Sequence, residues 1–144
     1  MNLKTSAVVS TVIMALSLTS YQVAAASITT NDNLNIESIN GQETGFNNVD
    51  GLKSGATLIE INYRDLFQGN ADDSGHWVRS ESLYLQLDVE ASQEYHLQTP
   101  IIYTAEQARD FLDDPQLHLT VNGKPSKKVD LLSQSQLLTK LLID

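Results

Sequence analysis

Two runs of strict alternation constrain this chain more than any other feature. Residues 57–67 read TLIEINYRDLF, with Ile59, Ile61 and Tyr63 on one side and Leu58, Glu60 and Asn62 on the other. Residues 82–91 read SLYLQLDVEA, where Leu83, Leu85, Leu87 and Val89 alternate with Tyr84, Gln86, Asp88 and Glu90. Successive side chains of a strand point to opposite faces, so a period of two specifies strands with one buried and one wetted face. Such strands must pair and cover their apolar sides, which points to layered antiparallel sheets.

The remaining segments fit that plan. Residues 33–39 (NLNIESI) read as a strand with Leu34 and Ile36 inward. Asn40-Gly41 follows, and Asn-Gly suits the type I′ hairpin turn because both central residues need positive φ. Residues 42–50 are polar and read as irregular, with Phe46 and Val49 as anchors; Gly51 and Gly55 bracket a second turn. Residues 94–102 (EYHLQTPII) read as a strand ended by Pro100, and residues 116–121 (QLHLTV) as another. Asn122-Gly123 repeats the hairpin signal, with residues 128–132 returning as the partner strand.

Thr104 and Gln107 form the T-x-x-Q pattern of a capping box, so a helix starts there with Ala108, Phe111 and Leu112 turned to the sheet. Asp113-Asp114-Pro115 stops it, since the residue before Pro resists the helical region. From Ser133 the tail reads as a second amphipathic helix whose Leu137, Leu138, Leu141 and Leu142 need cover. The expected fold is mainly β: a small antiparallel β-sandwich with one or two short peripheral helices.

The first 26 residues carry Lys4, an apolar run over residues 7–18 and a small-residue exit ending in Ala24 and Ala26. This is the layout of a secretory signal peptide with an A-x-A-like cleavage site. The run is shorter than the roughly 20 apolar residues of a membrane span. The expectation is a 1–26 signal peptide and a single 27–144 domain in the periplasm or beyond, with no stable membrane insertion after cleavage. Without Lys4 the chain keeps eight basic residues against eighteen acidic ones, a net charge near −10. That balance repels nucleic acid and anionic lipid. Cysteine is absent, which rules out disulfides, thiol chemistry and thiolate metal sites.

Residues 70–81, NADDSGHWVRSE, overlay the twelve-residue EF-hand loop, with Asn70, Asp72, Ser74, Gly75 and Glu81 at ligand or turn positions. The overlay fails because position one is not Asp, Val78 takes position nine, and the flanks read as strands. A solvated hairpin loop is the expectation, with no metal and no cofactor. His76, His96 and His118 lie in separate segments without metal-ligand spacing, and His96 and His118 read as exposed sheet residues. The carboxylates at Asp72-Asp73, Glu106 and Asp113-Asp114 lack any sign of a pocket that would separate their pKa values. No catalytic residue is assigned, and a non-enzymatic protein is expected. Trp77, the only tryptophan, either caps the core at the loop's exit or serves as an exposed contact. Unpaired strand edges offer a further surface for a visiting strand.

The order of these motifs resembles the YccT-like family of exported proteins from Gram-negative bacteria. The resemblance rests on a strand ending I-N-G, the G-L-K-S-G turn, Y-R-D-L-F, V-R-S-E-S-L-Y-L-Q-L, and E-Y-H-L-Q-T-P before an A-x-x-F helix, over residues 28–121. It implies a periplasmic, non-enzymatic protein whose main functional lead is restraint of curli subunit assembly. It also implies a length-tolerant hairpin connection at residues 70–75. Longer members carry a further C-terminal segment, and any function housed there is expected to be missing here. The main expectation is therefore an accessory protein that binds a protein client in the envelope or matrix, with His76, Trp77 and Tyr84 as contact residues. The alternatives are a carbohydrate- or matrix-binding module using Trp77 and Tyr103 and, behind it, a divalent-ion binder.

Overall fold

The computed structural model describes residues 24–144; the expected signal peptide falls, up to residue 23, outside them. Two sheets face each other across one core. The first has the order β10-β9-β8-β1-β4, built from β1 (Ala26–Thr30), β4 (Asn48–Leu52), β8 (Glu94–Gln98), β9 (Gln116–Val121) and β10 (Lys124–Asp130). The second has the order β11-β7-β5-β2-β3, from β2 (Leu34–Ile39), β3 (Gln42–Phe46), β5 (Gly55–Phe67), β7 (Leu83–Val89) and β11 (Leu132–Ser133). A further strand, β6 (His76–Arg79), pairs with the distal end of β5. Two helices, α1 (Ala105–Asp113) and α2 (Gln134–Ile143), complete the expected mainly β sandwich. Among the described residues, every strand pair is antiparallel except β1 with β8. Among them too, no helix is long and apolar enough to cross a membrane.

The alternating runs do what their pattern requires. Ile59, Ile61 and Tyr63 of β5 are fully buried, as are Leu34 and Ile36 of β2 to within one per cent, and they meet Ile28, Leu97 and Leu117 of the other sheet. Each such side chain contributes about 1.5–3 kcal/mol by leaving water. Both Asn-Gly pairs turn as expected, with φ of 50° and 78° at Asn40-Gly41 and 50° and 75° at Asn122-Gly123. Thr104 caps α1 through Gln107 N–H, but the Gln107 side chain accepts from Tyr103 N–H rather than from the cap residue, so the box is only half formed. Phe111 of α1 tilts against Tyr63 with ring centroids 5.4 Å apart, closing one end of the core. Ser133 and Gln136 form the complete box at the start of α2.

Several expectations need correction. Residues 42–50 are not irregular: β3 and β4 run through them, polar because both are edge strands whose side chains face water. Val49 packs on the core, but Phe46 is 66 % exposed. The strand predicted over residues 94–102 ends at Gln98. The return strand begins at Lys124, four residues before the expected start, because the Asn122-Gly123 turn pairs the strands at once. Of the apolar residues in α2, Leu137 alone is buried; Leu138, Leu141 and Leu142 stay exposed.

Three of the four edge strands, β10, β11 and β3, are defended. Chain segments change sheets on both flanks, through Asn47 between β3 and β4 and through Leu131 between β10 and β11. Edge strand β10 exposes Lys124, Lys127 and Lys128 and carries Pro125. Edge strand β11 is two residues long, and a bulge interrupts the β2–β3 pairing. Lysines, proline, shortness and bulges all discourage a visiting strand.

Candidate binding surface around Trp77

The acidic loop is the hairpin connection between β5 and β6. Asp73 organises it: one carboxylate oxygen accepts from Gly69 N–H at 3.2 Å and the other from Gly75 N–H at 3.1 Å. The Gly75 amide holds the Asp73 carboxyl below the usual range; the Gly69 amide adds to this, and the nearby His76 charge pulls in the same direction. Asp72 N–H turns inward to the Asn70 side chain at 3.2 Å. Gly75 is required where the loop closes. Its φ is +80°, and a Cβ there would lie 2.7 Å from Leu66 Cδ1 and 2.9 Å from Gln68 Cγ. Among the described residues, no group of three or more His, Asp or Glu is placed to hold a metal ion.

The segment beyond the loop decides the surface. Strand β6 pairs Arg79 with Arg64 and Trp77 with Leu66, while β7 pairs Leu83 with Ile61. Three residues, Ser80, Glu81 and Ser82, thus oppose only Asn62 and Tyr63. That extra residue is a β-bulge, pinned by Ser80 N–H to the Tyr63 carbonyl at 2.9 Å and by Tyr63 N–H to Ser80 Oγ at 2.8 Å. A one-residue slip exchanges the faces of a strand. Before the bulge the even-numbered Val78 is buried; after it the odd-numbered Leu83, Leu85 and Leu87 are. Trp77 and Arg79 are therefore turned outward, onto the face shared by Asn62 and Arg64.

Trp77 is 48 % exposed. The Arg64 guanidinium carbon lies 4.1 Å from its ring centroid and that of Arg79 lies 5.3 Å away. Cation–π contacts of this kind are worth about 0.5–1 kcal/mol each when exposed, and they favour the arrangement in which the three side chains lie together. They line an open cleft of about 630 Å³ with Asp32, Glu37 and Asn62. Asn62 Oδ1 is buried on its floor without a hydrogen-bond partner. A hydrogen-bonded network braces the cleft's base. Asn31 and Asn33 donate to the Thr99 hydroxyl at 3.0 and 3.2 Å, and Asn33 and the Tyr63 hydroxyl reach Asp65 Oδ2 at 3.5 and 3.4 Å. Burial raises the Tyr63 pKa, with the charge of Asp65 and its hydrogen bond adding to the shift, so the phenol remains a donor.

The three expected contact residues are not brought together. Trp77 belongs to the cleft, and it does not cap the core; Val78 fills that place. His76 is exposed on the loop side of β6 and does not line the cleft. Tyr84 shares the outer face but pairs with Glu60, six positions along β5 from the Leu66 that pairs with Trp77, or about 20 Å at ~3.3 Å per residue. Tyr103 is 77 % exposed just before α1, apart from the Trp77 cleft. His118 is exposed, as expected, while His96 is partly covered and its Nδ1 lies 2.8 Å from Thr29 Oγ1. Arg64, Arg79 and Asn62 were not anticipated. For Asn62 and Arg64 the signal was available as alternation, in the outward positions of residues 57–67; for Arg79 alternation pointed the wrong way, because the bulge reverses its face.

Comparison with known proteins places this chain in a family. A model of uncharacterized proteins conserved in bacteria (DUF2057) matches residues 27–142, and the chain belongs to that family. No curated protein and no solved structure matches the chain.

Proposed function

We propose that this member of the DUF2057 family is a non-enzymatic periplasmic accessory protein that binds a protein client on the outer face of its second sheet. The observation that carries the reading is Trp77, half exposed in an open cleft and held there by Arg64 and Arg79. Tryptophan and arginine are the residues most enriched at binding hot spots, and a bulge is needed to turn this pair outward. Export is read from residues 1–26, and the resemblance to the YccT-like proteins directs the search for clients to subunits of curli-type amyloid. Restraint of fibril assembly needs a surface that captures an unpolymerised chain, and a fixed aromatic–guanidinium cluster supplies one.

The test pairs capture from envelope extract with a curli-type fibrillation assay. The parent protein lengthens the lag phase and retains its client, whereas Trp77→Ala, with unchanged circular dichroism, does neither. Equal activity of parent and variant removes the face from the function. A second reading, carbohydrate or matrix binding, draws support from the same exposed indole on an open, largely polar sheet face. Saturable shifts in Trp77 emission with cell-wall glycans, but not with protein clients, would decide for it.

A further inference from the structure

The Trp77 cleft does not end at Asn62. A second concavity of about 580 Å³ shares Glu37 and Asn62 with it and continues along the outer face between β3 and β5. Together they form one trough parallel to β5, with the unpartnered Asn62 carbonyl near its middle. Its two ends differ in charge. At the Trp77 end stand the two guanidiniums, with Asp32 on the rim. At the other end Glu37, Glu43 and Glu60 gather, and among the described residues no basic side chain lines that concavity. Glu60 is locked in place: Ser38 donates to one oxygen at 2.8 Å and Ser82 to the other at 2.6 Å.

We infer that the trough takes an extended peptide segment of a partner protein, carrying one acidic residue and, about four residues away, one basic residue. This rests on the protein-binding reading above and specifies its partner. Arg64 and Glu60 are four positions apart on β5, about 13 Å at ~3.3 Å per residue, and an extended peptide spans the same distance in the same number of residues. The carboxylate of such a segment pairs with Arg64 and Arg79, and its cation with the glutamates. Other polymers fit less well. A polyanionic glycan or nucleic acid meets three carboxylates at the far end. A neutral sugar ring stacking on Trp77 must first displace the guanidinium already over it.

Trp77 is the only tryptophan, so its emission reports this one place. The probes are acetylated, amidated nonapeptides of Ser, Thr and Val with Glu and Lys four positions apart, and counterparts in which either charge becomes Gln. The Glu/Lys peptide is expected to shift the emission saturably, and loss of either charge to weaken binding by about tenfold. Arg64→Gln should erase the preference for the acidic residue, and Glu43→Gln should reduce that for the basic one. Equal affinity for all peptides, no saturable shift with any, or a response to a neutral oligosaccharide alone overturns the inference. If Trp77→Ala still abolishes client capture in those cases, the protein-binding reading survives and only the charge pattern is wrong. If that variant captures clients normally, both fail.

Discussion

Asn62 offers the sharpest test of the structure, because its unpaired carbonyl is a cost to folding that one substitution removes. Its carbonyl oxygen is buried and unpaired in the centre of β5, between the Trp77 cleft and the glutamate end of the trough. A buried polar group without a partner costs about 1–3 kcal/mol. Asparagine is also a poor strand residue, on a scale spanning about 1 kcal/mol. Asn62→Val removes the unpaired acceptor and supplies a β-branched residue. The gain is smaller than the sum, since Asn62 is only half buried and its amide nitrogen loses whatever contact it makes with water. We expect about 1–2 kcal/mol of added stability, which raises Tm by roughly 4–10 °C for a domain of this size. Urea unfolding followed by circular dichroism measures it. A variant less stable than the parent refutes the reasoning, because the carbonyl must then have a partner in solution.

Three further outcomes rest on the packing. Phe111→Ala should cost about 3–5 kcal/mol in chemical denaturation, since Phe111 is buried against Tyr63 and α1 also packs against β6; a cost below about 1 kcal/mol, the level of an ordinary surface substitution, means α1 does not close the core. The Asp73 carboxyl, followed by NMR, should titrate below the ordinary value of about 3.9. Because its folded pKa is depressed, its hold on the loop is complete above that value and lost as pH falls through the lower one; a midpoint at or above the ordinary value rejects the loop geometry. A chain starting at Ser27 should be less stable than one starting at Ala24 by about 2–3 kcal/mol, from two hydrogen bonds and one buried methyl. The Ala24 carbonyl accepts from Ser92 N–H at 2.9 Å and its hydroxyl at 3.2 Å, and Ala26 is fully buried; equal melting temperatures would show that this stretch adds nothing.

The sandwich was legible because its central strands write their burial directly into the order of residues. β2, β5, β7 and β9 each have one wet and one dry face, and Asn-Gly marks two of the turns between strands. β3 and β4 were illegible for the converse reason. An edge strand with mostly exposed side chains has no alternation to display, and its hydrogen bonds leave no trace in side-chain type. β1 was hidden by the expected cleavage point, which falls inside it, and its parallel pairing with β8 joins segments 67 residues apart in the chain (Thr29 with His96).

The surface around Trp77 shows how one residue can defeat a correct rule. Trp77 and Arg79 share odd numbering with Leu83, Leu85, Leu87 and Val89, so unbroken alternation carries the indole into the core. Ser80, Glu81 and Ser82 oppose two residues instead of three, and the parity reverses. Nothing in three polar residues announces a bulge in advance; its anchor is the register of β5, which is set by pairing on the far side with β2. Simple alternation within β6 separates His76 from Trp77, adjacent in sequence but on opposite faces. The reversal is what joins Trp77 to Arg64, thirteen positions away. Restoring two-to-two pairing by deleting Glu81 should therefore do one of two things. It either drives Trp77 inward and quenches its response to ligands, or drags Leu83 outward and unfolds the sheet. If the shortened chain keeps both its stability and its Trp77 response, the bulge is not what aims this surface.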